Sequence, residues 1–259
     1  MHEGGYIVKP KKFILLIVLI SFCALLVFTQ RGCFKDVKTK LKRKAKIEKT
    51  TFIFPKGKVY GLDVSRHQGH IDWSKVKRWQ DKPLHFVYIK ASEGKSLKDV
   101  KYDYNIREAK KHGLLVGSYH FYTSWLEPVS QFEQFKTVIK SQKQDLIPML
   151  DLEHKGMISS EQYRQNVLTF SRLCEKEFGC KPLMYSLQSF YRTHLKYEFN
   201  DCLWFMARYS KNPPVLDDGK NWTIWQFSCQ EKVEGIDTHV DLNVMDEASS
   251  LKKIMWVKN

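Results

Sequence analysis

Ile147-Pro148-Met149-Leu150-Asp151-Leu152-Glu153 reads as a strand sunk in apolar surroundings that ends on two carboxylates. A nearly continuous apolar run of this length is what a strand buried on both faces of a parallel sheet requires. Downstream, Ser159-Ser160-Glu161-Gln162 has the pattern of a capping box. It opens a helix that runs to Gly179 with Val167, Phe170, Leu173 and Cys174 inward. The same rhythm continues outward in both directions. Upstream stand VYGLDV (59–64), HFVYIKA (85–91) and LLVGSYHFY (114–122); downstream stand PLMYS (182–186), LWFMARY (203–209), WTIWQFS (222–228) and HVDLNV (239–244). Helical patterns fall between them. Lys101 to His112 ends at Gly113, and Pro128 to Lys143 places Phe132, Phe135, Val138 and Ile139 on one face. Gln188 to Lys196 is shorter, and Glu247 to Val257 closes the chain. Eight strands alternating with helices define an α/β chain and a (β/α)8-like barrel. The first and the sixth to eighth connections are short, so the expected barrel is irregular, with some outer helices missing.

Active sites of such barrels collect at the C-terminal ends of the strands. Reading off those ends gives Asp63, Glu93, the pair Tyr119-His120, Asp151 with Glu153, Tyr185, Arg208, Gln226 and Asp241. Five acids converging from four strands exceed what packing tolerates, because buried carboxylates are costly unless paired or hydrogen-bonded. Asp151 and Glu153 are the sharpest pair. Residues two apart on a strand share a face at about 6.5–7 Å between Cα atoms, so their charges repel and one proton is held more tightly. A carboxylic acid kept protonated near neutral pH is what a glycosidic oxygen needs as its proton donor. Its ionised partner can stabilise positive charge developing on a sugar. An isolated Asp-x-Glu would more often be a solvated strand end; the acids and aromatics on the other strands favour chemistry.

Several segments, in order and at barrel-strand spacing, resemble glycoside hydrolase family 25, the Chalaropsis-type lysozymes, over residues 59–246. They are Gly61-Leu62-Asp63-Val64-Ser65, Gln68-Gly69, Ile71-Asp72-Trp73, Ile89-Lys90-Ala91-Ser92-Glu93-Gly94 and Gly117-Ser118-Tyr119-His120-Phe121. Pro148 to Glu153, Ala207-Arg208-Tyr209, Trp225-Gln226-Phe227-Ser228, Gly235-Ile236 and Val240-Asp241-Leu242-Asn243 complete the set. Ser92 stands where the family usually has Thr, and Met206 where it often has Ile or Val; neither touches the acids. The resemblance implies an N-acetylmuramidase that cleaves the β-1,4 bond between N-acetylmuramic acid and N-acetylglucosamine in peptidoglycan glycan strands. It implies Glu153 as acid/base and Asp151 as helper of the substrate's own 2-acetamido group, one of the exceptions to the two-carboxylate scheme. Asp63 and Asp241 would hold the pair and the sugar in position. Tyr119, Tyr185 and Gln226 look like sugar contacts, joined by Arg208 and Trp225. Glu93 reads equally as a sugar contact or as a structural acid bonded to Lys90. Trp125, Trp204 and Trp225 are candidate stacking platforms. The alternative function is an inactive wall-binding protein that keeps the groove without turnover; the full set of acids argues against it.

Other chemistries find little support. His67, His70, His120 and His154 lack ligand spacing, so neither a metal nor another cofactor is expected. Ser65 and Ser92 have no His base near them in sequence, which disfavours a Ser-His-Asp hydrolase. The formal charge of +15 invites a nucleic-acid reading, but residues 1–50 hold +9 of it, and no nucleic-acid-binding motif is present. Cys174, Cys180, Cys202 and Cys229 allow three disulfide pairings or four separate thiols. A monomer is expected.

The N-terminus reads as a membrane address. Phe13 to Thr29 is uncharged and would span about 25 Å as a helix, slightly short of a roughly 30 Å hydrocarbon core. Phe28-Thr29-Gln30-Arg31 lacks the small residues of a cleavage site, so an uncleaved signal anchor is favoured over a secreted protein. The residues before Cys33 make a poor lipidation signal. The expected organisation is a basic cytoplasmic N-terminus (1–12), a single-pass transmembrane anchor (13–29), a basic stalk (30–55) and the hydrolase barrel (56–259). Nine Lys/Arg between Arg31 and Lys49 against three before the run argue for a cytoplasmic body. That rule binds long translocated domains weakly, and the substrate lies outside; the body is placed on the extracytoplasmic side.

Overall fold

The computed structural model describes residues 57–140, 142–245 and 248–256. The expected anchor and stalk lie outside the described residues. Among the described residues no helix is long and apolar enough to cross a membrane.

Each of the eight apolar runs forms a strand: β1 (Val59–Val64), β2 (Lys82–Glu93), β3 (Leu115–Phe121) and β4 (Met149–Asp151). They are followed by β5 (Leu183–Leu187), β6 (Trp204–Ala207), β7 (Ile224–Glu231) and β8 (Val240–Met245). β1 to β6 each pair with their successor in parallel. β8 closes the ring by lying antiparallel to both β7 and β1. The barrel therefore departs from a fully parallel one at its last strand, and chain length is the reason. Only residues 232–239 separate β7 from β8. A parallel return needs a dozen residues or more, whereas a hairpin fits.

Outer helices cover only part of the ring. α1 (Tyr102–Lys111), α2 (Pro128–Ile139) and α3 (Ser160–Phe178) follow β2, β3 and β4, and α4 (Ala248–Ile254) follows β8. After β5 there is one short turn, Gln188–Phe190, running into a π turn, Tyr191–Leu195. α3 begins where Ser159 accepts a hydrogen bond from the Gln162 amide (3.0 Å) and ends at left-handed Gly179. The expected box at its start is only half made, because the Gln162 side chain turns to Asn166 instead. A full capping box forms at Ser65 and Gln68, around the 3-10 turn Arg66–Gln68. Cys174, Cys180, Cys202 and Cys229 are free thiols.

Alternation along the strands builds two separate cores. Leu62, Val64, Val87, Ile89 and Val116 point outward and pack with Phe132, Phe135 and Phe170 of the helices. Phe86, Tyr88 and Phe205 fill the barrel interior, with ring centroids 6.5 and 6.3 Å apart. The Tyr88 hydroxyl donates to the Ile147 carbonyl (3.1 Å), so this plug carries no unpaired phenol. Two glycines admit the plug. A Cβ on Gly61 would lie 2.4 Å from Cε1 of Phe86, and one on Gly117 2.5 Å from Cε1 of Tyr88. Gly61→Ala should therefore overpack the interior and destabilise the domain by about 1–3 kcal/mol. The check is the denaturation midpoint at unchanged m-value; an unshifted midpoint would show that the plug yields freely.

Candidate active site

A cavity of about 320 Å³ opens at the barrel mouth. Asp63, Asp151, Glu153 and Asp241 line it together with Tyr119, Tyr185 and Gln226. The same wall includes residues that the sequence did not single out as site residues: Lys90, Tyr209, His67 and Gln68. Lys90 had a visible signal, a cation inside the apolar run HFVYIKA. His67 and Gln68 reach the rim on the capped turn after β1.

Asp241 arrives by a different route from the one expected. It is the second residue of β8 and pairs in register with Asp63. Because β8 runs backwards, its beginning, not its end, lies at the mouth. Glu93, Arg208 and Trp225 do not line the cavity. Glu93 forms an ion pair with Lys90 (2.7 Å). Arg208 donates to the Pro213 carbonyl (3.0 Å), and Trp225 donates to the Arg208 carbonyl (2.8 Å) while packing between Trp222 and Phe227. Trp204 is fully buried in the outer core. His120, next to Tyr119, faces the helices: it stacks on Phe170 (5.3 Å) and bonds Ser92 (2.9 Å) and Gln131 (3.3 Å). Burial pushes its pKa down to about 3, so its ring is neutral.

Gln226 is the hub of the polar network. Its amide nitrogen donates to Asp63 Oδ2 (2.9 Å), and its amide oxygen accepts from the hydroxyls of Tyr185 (3.0 Å) and Tyr209 (2.9 Å). Asn243 Nδ2 also donates to Asp63 Oδ2 (2.8 Å). Asn243 lies two residues beyond Asp241 on one strand, so the period of two could have pointed to it.

All four carboxylates are raised, first by burial and, for Asp63, Asp151 and Asp241, also by the charges of their neighbours. Burial lifts Asp63 to about 6 despite the bonds from Asn243 and Gln226. Asp241 is lifted to about 8 by burial and by the Asp63 charge, and the two share a hydrogen bond. Burial, then the charges of Glu153 and Asp63, hold Asp151 well above the carboxylate range, with Lys90 opposing. One of its oxygens, Oδ1, is buried without a partner among the described residues. Glu153 is raised by burial and restrained by His154, by a hydrogen bond with Tyr185 and by Lys90. The sequence reading assigned the retained proton to Glu153 and the charge to Asp151. In the empty site the pKa of the deeper Asp151 is raised as well. Burial, which sequence spacing does not report, is the dominant cause.

Comparisons with known proteins agree with this geometry. Residues 62–236 match the model of glycosyl hydrolases family 25. The chain is 35% identical over 190 residues to "Uncharacterized protein YegX" of Escherichia coli K12, covering 73% of this chain and 70% of that one. It is 28% identical to lysozyme M1 of Streptomyces globisporus, covering 71% and 67%. Among solved structures, a family 25 glycosyl hydrolase from Bacillus anthracis superposes with TM-score 0.66 at 29% identity, over 72% of this chain and 88% of that one. A family 25 lysozyme from Aspergillus fumigatus gives 0.64 at 27% identity, over 76% and 98%. The chain belongs to glycosyl hydrolases family 25. It is a glycoside hydrolase of the lysozyme type.

Proposed function

We propose that the cavity cleaves the β-1,4 bond between N-acetylmuramic acid and N-acetylglucosamine in peptidoglycan. The observation that carries this reading is the pairing of a deep carboxyl, Asp151, with a shallower one, Glu153, both raised in pKa and both facing one open cavity. Glu153, the more accessible, protonates the glycosidic oxygen as the C1–O bond breaks. The 2-acetamido oxygen of the sugar attacks C1, and Asp151 accepts its N–H, so that carboxylate charge faces the developing cation. Glu153 then takes a proton from water, which opens the cyclic intermediate with retention of configuration. Asp63 and Asp241, tied through Gln226 and Asn243, hold the sugar in register; Tyr119 and Tyr185 contact it. The test is incubation with purified peptidoglycan and mass spectrometry of new reducing ends. Reducing muramic acid supports the reading. Reducing glucosamine assigns the other bond, and binding without new ends makes the protein a wall-binding module.

The segment 13–29 is proposed as an uncleaved single-pass anchor that places the barrel on the extracytoplasmic side. Support comes from its uncharged run, the missing cleavage site and a basic stalk worth roughly 1 kcal/mol per well-placed Lys or Arg against anionic headgroups. The protein is expected to fractionate with membranes, to resist high salt and to be released by detergent. A mature N-terminus beyond Thr29, with the protein in the soluble fraction, would make it a secreted enzyme.

A further inference from the structure

We propose that Trp125 is a stacking platform for a sugar ring of the glycan strand outside the catalytic cavity, making the enzyme selective for long strands. The proposal rests on the muramidase reading above. Trp125 is 71% exposed. A large aromatic ring left in water stabilises nothing in the fold, yet the loop that carries it, between β3 and α2, is rigidly built. Gln131, fully buried, accepts from the Thr123 amide (2.8 Å) and donates to the carbonyls of Thr123 (2.9 Å) and Leu126 (3.0 Å). The Leu126 amide closes the turn onto the Thr123 carbonyl (3.1 Å). Trp125 is thus presented on a fixed turn rather than on a loose one, and holding it there costs little on binding.

The loop that carries it is fastened beside the cavity. The Tyr122 amide donates to the Asp151 carbonyl (3.0 Å), which fastens the start of this loop to the strand end that bears the acids. A Cβ on Gly156, three residues after Glu153, would lie 3.6 Å from Cε3 of Trp125 and 2.8 Å from Oγ of Ser124. The two loops therefore touch, and Met157 beside Gly156 is fully exposed. Across the mouth, Tyr209 is half exposed and lines the cavity itself.

Size and chemistry point to the occupant. A cavity of about 320 Å³ lies at the small end of ligand pockets, while the substrate is a polymer that must leave over the rim. An exposed indole face suits a pyranose ring, which offers apolar C–H on one face.

The experiment uses the full chain and peptide-free glycan, as a tetrasaccharide and as long strands. Trp125→Ala should raise KM on long strands roughly tenfold with kcat little changed, and raise it much less on the tetrasaccharide. Trp125→Phe should keep most of the long-strand advantage. The same substitutions in a Glu153→Gln background should weaken long-strand binding, measured by titration without turnover. Equal effects on both lengths, or no loss of long-strand binding, overturn the platform. A wild-type chain that releases no reducing ends overturns the muramidase reading instead, while the binding titration still decides on Trp125.

Discussion

Glu153→Gln is expected to leave the barrel folded and to lower turnover on peptidoglycan by about a hundredfold or more, the scale of lost general acid catalysis. The fold should survive because Glu153 is only half buried and holds no element in place. Its side-chain partner is the Tyr185 hydroxyl, whose proton goes to Gln226 and whose oxygen can accept from a glutamine amide. What the amide lacks is a transferable proton. The leaving oxygen must then depart as an alkoxide, and the loss should fall on kcat while KM changes little. A substrate with a good aryl leaving group should recover part of the rate, since that group departs without help. Near wild-type turnover in a folded Glu153→Gln protein, verified by circular dichroism, would remove Glu153 from the mechanism.

How much of this was readable from the chain depends on the distance over which each cause acts. The strands were legible because burial on both faces writes a local apolar run, and all eight runs formed the barrel. Asp151 and Glu153 were legible because a period of two is also local. The reversal of β8 was encoded in the short connection 232–239, but the rhythm of the strands drew attention away from it. Trp204 and Trp225 read as platforms and proved to be packed in the barrel wall, whereas Trp125 is the exposed one. Composition cannot separate these three, because exposure is decided by neighbours distant in sequence. The hub at Gln226 is of the same kind: its partners Asp63, Tyr185 and Tyr209 come from three separate segments. The upward shift of Asp151 was illegible for that reason too. Spacing gave the repulsion between Asp151 and Glu153 but not the deeper burial of Asp151.

Asp151→Asn should move activity and stability in opposite directions. Activity should fall by about two to three orders of magnitude, the scale seen when a preorganised charge-stabilising group is removed. An asparagine can orient the acetamido group, yet it cannot place negative charge against the cation that forms. Stability should rise. In the wild-type protein burial and the charges of Glu153 and Asp63 hold the Asp151 pKa well above its unfolded value. Between those two values the folded state binds more protons than the unfolded state, so stability declines as pH rises. Below roughly pH 4, the unfolded carboxylate pKa, both states are protonated and the penalty vanishes. Asparagine carries no such penalty at any pH. The variant should therefore melt higher than wild type at neutral pH, by roughly 2–4 °C for each 1 kcal/mol relieved, with the gap closing towards pH 4. Melting curves from pH 4 to 8 and turnover on peptidoglycan test both halves. A variant less stable than wild type at neutral pH, or one that keeps near wild-type turnover, would mean that Asp151 is ionised in the resting site or takes no part in the reaction.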